Sequence, residues 1–237
     1  MTFAVPPLGV PFASGREADV FALGDGRVLR RYRGGQDATA EADVMAYVRG
    51  LGFPAPEVYA VSGADLVMER LDGPTLAEAL LTGQMSLAEG AAVQADLLRR
   101  LHELPARCHS RGGSGSDRDR GVSGGGATIV HLDLHPENVV LTAGGAVVID
   151  WRNARDGAGD LDTAFAALIL AQLAVGSIDH VLGEKAGRLL DHFLRCAPGD
   201  PVRLLDEAVA LRSGQYTLSA EEVGMLPVAA ARVRGVK

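Results

Sequence analysis

The chain has 237 residues, 47% hydrophobic and 22% charged, with 30 acidic against 23 basic side chains for a net charge of -7. That balance excludes a disordered tail and a small disulfide scaffold, and it argues against a protein built to grip nucleic acid or anionic lipid. Only Cys108 and Cys196 are present, with no C-x-x-C spacing, and they read as two reduced, structural thiols. The opening MTFAVPPLGVPF carries three prolines and no basic stretch, unlike a signal peptide. Thr163 to Ile178 is uncharged for 16 residues, short of the roughly 20 that a bilayer span needs. A cytoplasmic protein with a buried helix at that place is the expectation.

In chain order, Asp19 to Leu23 and Arg27 to Tyr32 are β-prone runs around Gly24-Asp25-Gly26, and the Asp-Gly pair predicts a tight antiparallel hairpin. Val44, Met45, Val48 and Leu51 fall at helical spacing within 38–51, a helix that stops at Gly52 and the Pro54/Pro56 pair. Glu57 to Val61 and Asp65 to Met68 read as further strands, so residues 1–71 form a small antiparallel sheet carrying one helix. Past Gly73-Pro74 the pattern turns helical, at Thr75 to Leu81 and at Ser86 to Glu103, where Ser86 and Glu89 make a capping box. Residues 72–237 are expected to form a mainly helical second lobe. Inside it, 107–126 holds seven Gly, four Ser and four Arg and too little apolar surface to offset its ordering entropy, so it reads as a flexible loop. Order returns at Thr128 with a short apolar run and a polar knot at 131–138. Strands follow at Val139 to Leu141 and Ala146 to Ile149 about Gly144-Gly145, then helix from Asp160 to about Arg212.

The polar knot is His131-Leu132-Asp133-Leu134-His135-Pro136-Glu137-Asn138, and it fills every fixed position of H-x-D-x-x-x-x-N. In a kinase catalytic loop of that form the Asp accepts the proton of the substrate hydroxyl and the Asn holds magnesium. Twelve residues past Asn138, Asp150 ends an apolar strand, where a kinase places its second magnesium ligand. Phosphoryl transfer needs little covalent help but does need neutralised phosphate charge and an aligned nucleophile. Asp133 is therefore the candidate base, and Asn138 and Asp150 are the candidate metal ligands. His131 and His135 read as residues that hold and position the loop.

With HLDLHPEN followed by VIDW, the chain resembles the aminoglycoside phosphotransferase family of small-molecule kinases, which have His-Pro inside the loop and Trp after the metal Asp. The resemblance runs from about Ser14 to Ala174. It implies a two-lobed α+β protein-kinase-like fold, ATP and Mg2+ in the cleft between lobes, and γ-phosphate transfer to a hydroxyl of a small molecule such as an aminoglycoside, amino alcohol or sugar. It implies that Val28-Leu29-Arg30 is the strand whose terminal cation holds the α- and β-phosphates, with Glu41 as its partner on the following helix. The family's usual Lys is here an Arg, always charged and bidentate, while strand alternation points the rival Arg31 to the other face. By the same resemblance Glu69 C=O and Leu71 N–H pair with adenine, and Ser14-Gly15-Arg16 replaces a glycine-rich phosphate loop. Asp162, with Asp160 as its alternate, caps a helix and braces the catalytic loop.

Asp156, Asp160 and Asp179 are candidates to receive a cationic acceptor. Two other readings stay open. A metallohydrolase is suggested by the H-x-D-x-H cluster of His131, Asp133 and His135. A non-catalytic, nucleotide-binding pseudokinase is suggested by Arg30 in place of Lys and by the 58 residues that follow Asp179. No nucleic-acid or membrane partner is expected.

Overall fold

The computed structural model describes residues 9–107, 126–176 and 180–235, so Cys108, nearly all of the 107–126 loop and Asp179 lie outside the described residues. The chain packs as two units, Met1–Ala77 with Glu137–Asn153, and Glu78–Pro136 with Ala154–Lys237. The fold is α+β and protein-kinase-like, with an antiparallel sheet in the first unit and helices dominating the second.

In the first unit, β1 (Ala13–Ser14), β2 (Ala18–Gly24), β3 (Arg27–Tyr32), β4 (Val58–Ser62) and β5 (Asp65–Glu69) form one sheet in the order β1-β2-β3-β5-β4. Asp25 and Gly26 close the β2–β3 hairpin with φ of 48° and 69°. Two positive φ values give the turn whose twist matches the flanking strands, which explains the Asp-Gly pair. β3 sits inside the sheet, opposite β2 at Phe21↔Leu29 and opposite β5 at Leu29↔Val67. The apolar stripe of α1 (Thr39–Gly50) buries Val44, Met45 and Val48.

The hairpin of β7 (Val139–Thr142) and β8 (Gly145–Val148) belongs to this unit as well. Val148 N–H donates to Pro54 C=O and Leu141 N–H to Pro74 C=O, each at 2.9 Å. A division at 71/72 therefore gives way to a first unit that continues to residue 77 and includes 137–153, because the hairpin's backbone donors find their acceptors at two N-terminal prolines. The approach is close: a Cβ on Gly73, whose φ is 147°, would lie 2.0 Å from the Leu141 carbonyl oxygen. Trp151 is fully buried, stands edge-on to Phe53 at 5.6 Å, and donates its indole N–H to Val148 C=O.

The second unit holds most of α2 (Leu76–Thr82), then α3 (Leu87–His102), β6 (Thr128–Val130), β9 (Arg155–Gly157), α4 (Gly159–Gly176), α5 (His180–Cys196), α6 (Leu205–Ser213), α7 (Ala220–Gly224) and α8 (Leu226–Gly235). Ser86 and Glu89 make the capping box that opens α3, each side chain bonded to the other's backbone N–H. α4 is long and apolar enough by composition to cross a membrane, yet Leu161 to Ala171 are buried within the unit, against α5, α6 and α8. The helical region runs on past Arg212 through α7 and α8. Of the two thiols, Cys196 is exposed rather than part of the core.

Candidate active site

Strand alternation puts Val28, Arg30 and Tyr32 on one face of β3, and there Arg30 is buried between two acids. Its Nη1 donates to Glu41 Oε1 at 2.8 Å and its Nη2 to Asp150 Oδ1 at 2.7 Å. Tyr32 O–H donates to the other Glu41 oxygen, which together with the Trp151 backbone N–H completes the carboxylate's partners in this cluster. Burial works against the Arg30 charge, but Asp150 and Glu41 outweigh it and hold the guanidinium above its ordinary range. Burial pushes Glu41 up, and the neighbouring Asp150 charge adds to this against the pull of Arg30. Two carboxylates sharing one guanidinium leave a formal charge of -1, a setting that suits a divalent cation with phosphate. Arg31 points to the other face, bidentate on Asp65 at 2.6 Å.

Asn138 ends a short 3-10 turn at Pro136–Asn138, and Asp150 follows β8. Ile149 N–H donates to Asn138 C=O at 2.9 Å, so the hairpin returns the two residues to one place. Asp150 has φ 63°, a left-handed conformation that costs an L-residue about 1–2 kcal/mol and is held here by the buried Trp151 beside it. A carboxamide and a carboxylate are hard oxygen donors, the set that magnesium takes while keeping water and phosphate as its other ligands. Among the described residues no three His, Cys, Asp or Glu side chains form a group able to hold a metal, so His131, Asp133 and His135 do not make the metallohydrolase centre.

Residues 14–17 form a tight turn. Ser14 Oγ donates to Asp19 at 2.7 Å, Gly15 N–H to Ala18 C=O at 2.9 Å, and Arg33 Nη2 to the carbonyls of Gly15 and Arg16 at 2.5 and 2.7 Å. Glu17 meets Arg152 at 3.4 Å, and Arg152 stacks 4.5 Å from the Tyr32 ring centre. A chain of contacts thus joins this turn to the Arg30–Glu41–Asp150 cluster. Glu69 closes β5, its N–H donating to Glu57 C=O and its side chain accepting from Glu57 N–H at 3.0 Å; Leu71 lies past the strand end.

The second unit holds Asp133. Asp162, in the first turn of α4, is fully buried and accepts from the backbone N–H of His131 at 2.9 Å and of Leu132 at 2.7 Å, with His102 Nε2 at 3.1 Å. Leu132 is left-handed, φ 60°. On the other side, the buried Gln94 of α3 donates to Leu134 C=O at 2.9 Å. The backbone is thus pinned immediately before and after Asp133. His135 Nε2 lies 3.9 Å from the Asp133 carboxylate.

Asp160 is engaged elsewhere, by Arg203 and the Asp200 N–H, while Asp156 accepts from Arg107. The acids expected to receive a cation are in this way already matched by arginines, except Asp179, which lies outside the described residues. Gln94 and Tyr32 are additions to the site. A polar side chain on the apolar stripe of α3 and the i, i+2 alternation of β3 were their only sequence signals.

Burial alone would push the Asp162 carboxyl up, but His102 and the His131 backbone N–H hold it below the usual carboxylate range. Its contribution is present above the unfolded value of about 3.9 and is lost as pH falls through the lower folded one. Asp162→Asn replaces an acceptor by an amide donor facing buried N–H groups. At pH 7 it is expected to cost about 3 kcal/mol, a fall of roughly 6–12 °C in a thermal melt, with the gap to wild type narrowing in acid.

A family model described as "Phosphotransferase enzyme family" matches residues 9–125. Among solved structures, a choline/ethanolamine kinase family protein from Mesorhizobium loti aligns at 14% identity and TM-score 0.56, over 97% of this chain and 92% of that one. Plasmodium vivax ethanolamine kinase aligns at 12% identity and TM-score 0.54, over 95% and 73%. The aminoglycoside phosphotransferase APH(2'')-Ib, in its ADP-bound form, aligns at 15% identity and TM-score 0.53, over 94% and 93%. At such identities the likeness is one of fold. No relative is found among curated proteins.

Proposed function

We propose that this chain, which a phosphotransferase enzyme family model matches over residues 9–125, transfers the γ-phosphoryl group of ATP to a hydroxyl of a small molecule with magnesium as cofactor. The observation that carries the reading is the Arg30 guanidinium held at 2.7 Å from Asp150, itself brought back to Asn138 by the hairpin. A fixed cation beside two oxygen donors matches the charge pattern of a metal-bound polyphosphate.

In this reading Arg30 meets the phosphates and Asn138 and Asp150 hold the metal, which when bound neutralises charge on the phosphates. Glu41, Tyr32 and the Trp151 N–H fix the position of Arg30. Asp133 takes the proton of the acceptor hydroxyl as the new O–P bond forms and the bond to the ADP oxygen breaks. Asn138 lies five positions after Asp133, a span of at most roughly 18 Å of extended chain, so one short segment carries both base and metal ligand. Glu69, Leu71, Ser14 and Gly15 are assigned to the nucleotide through the family pattern.

The test is phosphorus NMR of the protein with Mg-ATP and a panel of amino alcohols, aminoglycosides and neutral sugars. A phosphomonoester resonance growing one-for-one with ADP is expected for at least one acceptor. Nucleotide binding with neither ADP nor phosphomonoester from any acceptor is the behaviour of a pseudokinase, and it overturns the proposal.

A further inference from the structure

Within its own unit, Asp133 is met by an arginine far away in sequence. Arg212, in the last turn of α6, is only 11% exposed, and its Nη1 lies 3.8 Å from Asp133 Oδ1. Its Nε donates to Gln172 of α4, and its Nη1 reaches Gln215 Oε1 at 3.3 Å. Gln172 is held in turn, its Nε2 donating to the Glu222 carbonyl of α7 at 3.0 Å. A guanidinium is a rigid plane, so fixing Nε and one Nη fixes the direction of the whole group. At 3.8 Å the pair attracts without forming a hydrogen bond, and this contact therefore takes no lone pair of Asp133.

We propose that Arg212 is a positioning residue: the α4–α6–α7 corner holds its charge against Asp133 and so keeps the carboxylate aligned to receive the acceptor's proton. The inference rests on the reading of Asp133 as the base. In the proposed assignment nucleotide and metal fall to Arg30, Asn138 and Asp150, so the loss of Arg212 is expected to appear in turnover.

The measurement is steady-state ADP release from Mg-ATP with the acceptor found above, for wild type, Arg212→Met and Arg212→Lys, each with its melting temperature. Misplacing a reacting group by about 1 Å costs up to roughly 100-fold. Arg212→Met is expected to lower kcat by about 10- to 100-fold with KM for ATP within about two-fold, and Arg212→Lys to recover most of the loss. Placed in an Asp133→Ala background, Arg212→Met should add nothing, since its effect runs through that carboxylate. Unchanged kcat overturns the proposal. So does a fall in kcat that comes with an equal rise in KM and a lowered melting temperature in both variants, which is the mark of a structural role alone. If wild type releases no ADP with any acceptor, the phosphotransferase reading has failed first and takes this inference with it, an outcome seen before any variant is made.

Discussion

Asp133→Ala is expected to lower kcat for phosphoryl transfer by about 100- to 10,000-fold while leaving nucleotide affinity within a few-fold. The reason lies in what the side chain does in the proposed reaction: it receives a proton and contacts no phosphate. The surrounding loop should survive the change, because Asp162 pins the backbone at His131 and Leu132 and Gln94 pins it at Leu134, none of them through the Asp133 side chain. Isothermal titration with Mg-ADP beside a turnover assay separates the two quantities. A large loss of nucleotide affinity would move Asp133 from base to phosphate or metal contact, and unchanged turnover would remove it from the mechanism.

Asp150→Asn should abolish most of the magnesium dependence of nucleotide binding. Even outer partners of metal ligands cost 10- to 100-fold in metal affinity when changed, and a direct ligand is expected to cost at least as much. Asparagine is the better replacement than alanine here because it tolerates the left-handed φ of 63° that the position requires. The variant also removes the negative charge beside Arg30 Nη2 while keeping an amide oxygen able to accept from it, and Arg30 keeps Glu41 at 2.8 Å. Nucleotide titrations with and without magnesium read the effect. A wild-type magnesium response in the variant would place the metal elsewhere.

What the sequence made legible was local. The β2–β3 hairpin follows from Asp25-Gly26, α1 from its apolar spacing and its stop at Gly52, and α3 from the Ser86/Glu89 box, each written within a dozen residues. The β7–β8 hairpin was legible as a hairpin but not in its place, since its attachment to Pro54 and Pro74 depends on backbone acceptors far away in the chain. β9 carries Arg155-Asp156-Gly157, with no apolar signal at all, and pairs with β6 only through the fold.

The candidate site divides the same way. H-x-D-x-x-x-x-N and the strand-ending Asp150 stand out by spacing, and the family pattern singled out Arg30, Glu41 and Asp162. The contacts that hold these residues were not readable. Gln94 is one polar residue on an apolar helix face, Tyr32 one aromatic on a strand, and Arg212 one of many arginines until α6 brings it to Asp133. A tertiary contact has no sequence period, and it becomes visible only when the elements carrying it are packed.

The central claim, a magnesium-dependent nucleotide site built on Arg30, Asn138 and Asp150, is tested most directly by a thermal-shift titration with ATP and with GTP, each with and without magnesium. A ligand at 100 times its Kd stabilises the folded state by about 2.7 kcal/mol, which for a chain of this size is a rise of roughly 5–10 °C in Tm. The account predicts a rise of that order that depends on magnesium in the wild type and loses that dependence in Asp150→Asn. No rise with either nucleotide, with or without magnesium, would contradict it.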